Sequence, residues 1–355
     1  SLSADMVGLK KPNLILCLTA LIWLSLGFLV LGSVSATFSI EKFGDSAYLL
    51  RHQFLYGLLP GLTLGLFFFF LPREILKKVS LWFFLATLFL AGLLLVSKIG
   101  LRFLGASRWI NLGVIVFQPA ELLKLSSILY LSSWFAGRKP AEKIKSRFGR
   151  LMPLLPFLLI VSIITVLLAA QPDIGTLSIV LLTAAAIFFL APTPLWQNLL
   201  LWALGAAGLA LLIRVAPYRL NRLMIFLHPD IDPMGRGYQL KQSLIAIGAG
   251  GLFGVGPGLS DQKFGFLPET IGDAIFPVFA EEWGFLGTAL LVSLILIFVW
   301  QGLRVSRLAR DEFSRLVAAG ISLWIGLQAL VNICSMSGLL PLIGIPLPFV
   351  SYGGS

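Results

Sequence analysis

Apolar runs of membrane-crossing length recur along this chain, and they decide what it can fold into. They lie near residues 13–36, 54–71, 79–97, 118–136, 152–170, 176–192, 194–215, 275–300 and 315–340. A helix needs roughly 20 apolar residues to cross the hydrocarbon core. Hydrophobic residues make up 58% of the 355 and charged residues only 12%, about half the charged share of a soluble domain. A surface so poor in charge is solvated by lipid, not water. The expected fold is an all-α integral membrane protein with nine transmembrane helices, organised as one polytopic domain over residues 1–355.

Charge orients it. Lys10 and Lys11 precede the first run, and Val34-Ser35-Ala36 resembles a cleavage site. The apolar stretch from Leu14 outruns a signal-peptide core of about 7–15 residues, so it reads as an uncleaved anchor. On the same side fall Arg73, Lys77, Lys78, Arg138, Lys139, Lys143, Lys145, Arg147, Arg150, Arg304, Arg307, Arg310 and Arg315. Basic residues in short loops mark the cytoplasmic face, which predicts a cytoplasmic N-terminus. Most of the net charge of +11 falls there. The basic balance therefore calls for anionic lipid contact and no nucleic acid. Cys17 and Cys334 sit singly in apolar runs and form no disulfide framework. His52 and His228 are the only histidines, which excludes a His-rich metal site.

The remaining irregularity lies on the opposite face. The stretch 217–273 is rich in Gly, Pro, Asp and Arg and far exceeds an ordinary helix connection. Within it Gly237 to Ile247 reads as a short interfacial helix, with Leu240, Leu244 and Ile247 at helical spacing. After the last apolar run, prolines at 341, 346 and 348 break the chain. Such a segment suits a re-entrant or interfacial stretch packed in protein.

The chemistry-bearing residues follow from these borders. Asp273 stands where the long loop meets the apolar run from Ala274. Partial desolvation there raises a carboxyl pKa and makes a better base. The competing reading is an N-cap of the next helix. Glu121 and Lys124 share one helix face inside a membrane run. They read equally as a functional pair or as a self-satisfied ion pair. Asp173, in Gln171-Pro172-Asp173-Ile174-Gly175-Thr176, suits a helix cap. Arg102, Arg108, Arg214, Arg219 and Arg222 form a cluster of cations suited to phosphate. Glu281 and Glu282 are adjacent and lie about 100° apart on a helix, so one of the two is expected to face the bundle. Asp230 and Asp232 read as turn residues.

Several ordered motifs resemble the SEDS family, the FtsW, RodA and SpoVE group of peptidoglycan polymerases. They are Arg108-Trp109-Ile110 with Gln118-Pro119-Ala120-Glu121 and Lys124, the Asp173 turn, and Gly237-Tyr238-Gln239 with Gln242-Ser243 through Gly248. Then come Gln262-Lys263 ahead of Leu267-Pro268-Glu269, Ala280-Glu281-Glu282, and Pro348 to Ser355. The Gln262-Lys263 segment is similar to the FtsW branch more than to the RodA branch, which favours a division role. The resemblance implies a ten-helix fold, the tenth helix being expected after Ser355. It implies a glycan-strand polymerase that joins lipid II to a growing strand on undecaprenyl pyrophosphate, with inversion and with Asp273 as general base. It further implies substrate contacts at Arg108, Glu121, Lys124, Asp173, Arg214, Arg219, Gln242, Ser243, Lys263, Glu269 and Ser351. A divalent cation, Mg or Mn, is the one cofactor this chemistry admits. The implied partners are a class B penicillin-binding transpeptidase and other division or elongation membrane proteins, in a bacterial cytoplasmic membrane with the active site outside. Where the family has His-Thr-Asp, this chain has Ile271-Gly272-Asp273, and where it often has Lys in the Gly-rich turn, Val255 or Pro257 stands. A lipid II flippase and a non-catalytic scaffold for a transpeptidase are the alternatives.

Overall fold

The computed structural model describes residues 13–96, 100–103, 106–111, 116–138, 153–215 and 217–353. Lys10, Lys11, Lys139, Lys143, Lys145, Arg147 and Arg150 lie outside them. Among the described residues eleven α-helices follow in order: α1 (Leu14–Phe43), α2 (Tyr48–Phe70), α3 (Arg73–Val96), α4 (Pro119–Ala136), α5 (Leu154–Ala170), α6 (Ile174–Leu190), α7 (Leu195–Val215), α8 (Pro217–Leu227), α9 (Arg236–Ala249), α10 (Ile275–Arg307) and α11 (Glu312–Met336). Each apolar run falls on one of α1–α7, α10 and α11. Five of these, α1, α2, α3, α10 and α11, are long and apolar enough to cross a membrane, and α5 and α6 are shorter apolar helices. Their polar ends are closed locally. Asn13, Asp173 and Asp311 side chains accept from Leu16 N, Thr176 N and Ser314 N, capping α1, α6 and α11. A π turn at Phe54–Leu58 interrupts α2 just before Pro60, whose ring supplies no N–H to continue the ladder.

The helices are joined by one element that the apolar pattern did not foretell. Gly100–Phe103, Ala106–Asn111 and Val116–Phe117 form strands β1, β2 and β3 of an antiparallel sheet between α3 and α4. Its register slips between Leu101 and Arg102.

Packing within lipid cannot draw on the hydrophobic effect, so close backbone approach at small residues carries it. A Cβ on Gly302 of α10 would collide with Ser322 Oγ of α11, and one on Gly326 would meet Val299. Gly320 of α11 lies against Ile128 of α4 and Ile187 of α6. Two large apolar clusters result, beside a small third one of Ile179, Val331 and Ile345. One joins α4, α5 and α6 to Phe84 of α3 and Leu316 of α11. The other joins Trp23, Val30 and Leu31 of α1, the first turns of α10, Ala329 and Met336 of α11, and Leu347 and Val350. Helix α11 therefore belongs to both.

The proline-broken segment 341–353 runs into the protein. Its Ile343 and Ile345 touch Gly175 at the start of α6, and Phe349 O abuts Gly27 of α1. The Phe349 ring lies edge-on to Trp23 at 5.1 Å. Tyr352 Oη pairs with His52 Nδ1 at 2.9 Å, and Gln53 holds both the N–H and the carbonyl of Gly353. Non-helical backbone is tolerated at membrane depth only when so enclosed.

Candidate active site

One turn shapes the approach to Asp273. Glu269 has φ +56°, an uncommon conformation for a residue with a side chain. Its carbonyl accepts from Gly272 N at 3.0 Å and Ala274 N at 3.1 Å. The turn delivers Asp273 to the head of α10. The cap reading of Asp273 does not hold there: Ala274 occupies the N-cap, and no side chain caps the helix. Asp273 Oδ1 is instead buried with no hydrogen-bond partner among the described residues, although the residue as a whole keeps some open surface. Burial pushes the carboxyl from the ordinary 3.8 up to about 6, and the Glu269 charge adds to the rise. The Asp273 N–H, the Arg236 cation and the Ala274 N–H pull the other way. A carboxylate so placed is matched to removing a proton near neutral pH.

Two other elements close around it. From the C-terminal segment, Gly344 (φ +71°) comes so near that a Cβ there would stand 3.4 Å from Asp273 Oδ2. From α11, Asn332 Nδ2 donates to Asp273 O at 2.8 Å and to Ile345 O at 2.7 Å. Arg236 and Arg222 line a shallow, narrow cleft with Ile225, Phe226, Leu240 and Leu342.

A second centre sits deeper. Lys124 Nζ pairs with Glu121 Oε2 at 2.7 Å and is only 2% exposed. It donates to Gln328 Oε1 at 2.8 Å and lies 5.2 Å from the centre of the Trp324 ring. Gln328 Nε2 in turn donates to Pro346 O at 3.1 Å. The Glu121–Lys124 ion pair forms, and through Gln328 it reaches the segment beside Asp273.

A third centre corrects the reading of the adjacent glutamates. Both Glu281 and Glu282 are buried. Glu281 accepts from Ser260 Oγ and, at 3.3 Å, from Asp261 N. Glu282 accepts from Ser33 Oγ of α1 at 2.9 Å and pairs with Lys263 Nζ at 3.3 Å. The cause is a break in α10 at Gly284 (φ +64°, ψ −166°). There the backbone of 251–256 inserts: Phe285 N and Leu286 N donate to Gly251 O and Leu252 O. The loop thereby covers the side of α10 that a plain helix would leave open.

The other expected contacts are scattered among these centres. Glu269 is exposed beside Asp273, while Lys263 is buried in its ion pair and also bonds Gly258 O. Asp173 is committed to its cap and to Gln118 Nε2, 2.7 Å away. Ser243 is buried and bonds Gln239 O at 2.8 Å, and Gln242 is half-buried next to it on α9. Ser351 is buried and accepts from Leu347 N at 2.8 Å. Arg214 is exposed at the end of α7. Arg108 lies on β2 and Arg219 on α8, with side chains outside the described set, as is that of Arg102. Sequence reasoning passed over Arg236, Gln328 and Asn332. The last two stood in plain view as polar residues four apart inside an apolar run, a placement that marks function by default.

Fold and site together define a polytopic helical membrane protein with a desolvated carboxyl enclosed by re-entering backbone. The chain belongs to the FtsW/RodA/SpoVE family of cell cycle proteins, whose model matches residues 13–355. It is 41% identical over 346 residues to the probable peptidoglycan glycosyltransferase FtsW of Coxiella burnetii, covering 96% of this chain and 91% of that one. It is 35% identical to stage V sporulation protein E of Bacillus subtilis, covering 97% and 93%. Among solved structures, a chain of a peptidoglycan synthase complex that coordinates polymerization and crosslinking superposes with a TM-score of 0.76 at 30% identity, covering 96% and 91%. The rod shape determining protein RodA of Thermus thermophilus superposes at 0.68 and 28% identity, covering 96% and 89%.

Proposed function

We propose that the chain is a peptidoglycan glycosyltransferase that polymerises lipid II, with Asp273 as its base. The enzymatic, glycan-polymerising role follows from membership in the family and from the relatives above. The observation that carries the site is the buried, unpartnered Asp273 Oδ1 at the head of α10. In the step we envisage, Asp273 takes the proton of the acceptor sugar's 4-hydroxyl as that oxygen attacks C1 of the donor. The bond from C1 to the donor's pyrophosphate breaks, and undecaprenyl pyrophosphate leaves. One displacement inverts the anomeric centre. General-base help of this kind is worth typically about 10²–10⁴-fold.

Negative charge grows on the leaving group, so cations must face it. Arg236, close enough to act on Asp273, joins Arg108, Arg214 and Arg219 as carriers of that role. Among the described residues no group of three or more His, Cys, Asp or Glu gathers to hold a metal. Mg²⁺ is typically held by one or two carboxylates plus substrate phosphates. A divalent ion bound with the substrate's pyrophosphate would supply charge neutralisation there.

The finer topology belongs to the same reading: nine crossings by α1–α7, α10 and α11, a cytoplasmic N-terminus, the region 217–273 and the site outside, all within one membrane domain. A class B penicillin-binding transpeptidase is the partner it calls for, and division the process. One observation favours transport instead, since a helix broken like α10 at Gly284 is a common feature of transporter sites. Purified protein given labelled lipid II separates the readings. Polymer that disappears in Asp273→Ala supports the enzyme. Lipid movement with no polymer in the unmutated protein supports the transporter, and neither activity supports a scaffold.

A further inference from the structure

Three elements meet at one amide. Asn332 is fully buried in α11, 59 residues along the chain from Asp273. Its Nδ2 carries two N–H groups, and both are spent: one on Asp273 O (2.8 Å), one on Ile345 O (2.7 Å). One turn earlier, Gln328 does the same for the next carbonyl, Pro346 O, while also receiving Lys124. Neither carbonyl sits in a helix, since 341–347 has no regular structure. Backbone of that kind needs a partner when it is buried away from water. The two amides supply it. The difference between them lies in what else they hold: Gln328 reaches the segment, Lys124 and Trp324, whereas Asn332 ties the segment to the loop that bears the base.

We propose that Asn332 is the positioning residue of Asp273, clasping the loop end to the Gly344–Ile345 backbone so that the carboxyl is held, dry and aimed, at the head of α10. The proposal rests on Asp273 being the base. Asn332 touches no reacting atom. It acts through the main chain of Asp273, and through the closeness of Gly344 to Asp273 Oδ2. The charged groups that face the carboxyl are Glu269 from its own loop and Arg236 from α9, and neither is displaced by truncating Asn332. Releasing the clasp lets water reach the carboxylate, and hydration favours the charged form. A small displacement of a reacting group costs on the order of 10²-fold in rate.

The test uses the full chain in detergent or nanodiscs, with lipid II as the probe. Asn332→Ala is expected to lower kcat by about 10²-fold with little change in KM. The acid limb of its pH–rate profile is expected to move to lower pH. Asn332→Ser, which keeps one donor, is expected to fall between it and the unmutated chain, and it decides the question if the alanine variant does not fold. Gln328→Leu frees Pro346 O but leaves Asp273 O held, so it is expected to leave the acid limb in place. A readout independent of activity is the protonated carboxyl band seen in the infrared difference between the unmutated chain and Asp273→Asn. Its titration is expected to shift down in Asn332→Ala. An unmoved band and limb, or an equal shift in Gln328→Leu, overturns the positioning role. Full polymerisation by Asp273→Asn would refute the base itself while the infrared result still judges the clasp.

Discussion

Replacing Asp273 with Asn sets the demands of chemistry against those of folding, and the two have opposite signs. Burial and Glu269 raise its carboxyl from 3.8 to about 6. The folded protein therefore holds this proton more tightly than the unfolded chain does. Below about pH 4 both states are protonated and nothing is lost. Between pH 4 and about 6 the unfolded chain releases the proton first, and stability falls as pH rises. Above pH 6 the penalty is complete. A gap of about two pH units is worth about 3 kcal/mol. Because the residue keeps some open surface, a gain of about 1–3 kcal/mol is the expectation for the uncharged Asn at pH 8. Thermal melts in detergent should show Asp273→Asn melting several degrees higher than the unmutated chain at pH 8, and level with it near pH 4. Polymerisation in the same preparation should fall by about 10²–10⁴-fold. In the unmutated chain the rate should rise through pH 6, with about one carboxyl in ten ionised at pH 5. Lost polymerisation with no stability gain at pH 8 would mean that the carboxyl is not desolvated. A stability gain with polymerisation intact would mean that it is not the base.

Three further outcomes follow from the same geometry. Glu269→Gln should move the acid limb of the pH–rate profile down, and Arg236→Gln should move it up, because the two charges act on Asp273 with opposite signs; matching shifts would refute the assignment. Lys263→Met strands the buried Glu282 and should cost about 3–5 kcal/mol, read as a lowered melt, with most of it recovered when Glu282→Leu is added. Gly284→Ala places a Cβ at φ +64° against Gly254 N, so it should lose about 1–3 kcal/mol to backbone strain alone, and an unchanged melt would show that the 251–256 backbone does not seat in the α10 break.

The helices were legible because each apolar run answers a length requirement set by lipid, and that requirement is local. Asp273 was legible for a similar reason, standing at the border of such a run. What the runs concealed is whatever depends on two distant segments at once. Helical periodicity turns Glu281 and Glu282 about 100° apart, which holds for a bare helix. It fails here because the 251–264 loop packs into the Gly284 break and buries the second side. The small sheet was hidden because its strands are short and its register slips at Leu101. Lys263, a substrate contact by resemblance, is the partner of the buried Glu282. The hidden features share a cause. A broken helix and an unwound C-terminal segment expose backbone that lipid cannot solvate, so polar side chains from elsewhere must come to it. Asn332, Gln328 and Glu281 are those side chains, and they gather where the regular structure stops. A membrane protein that needs an irregular site must therefore import its polar partners, and isolated amides four residues apart in an apolar run are the trace that this leaves in a sequence.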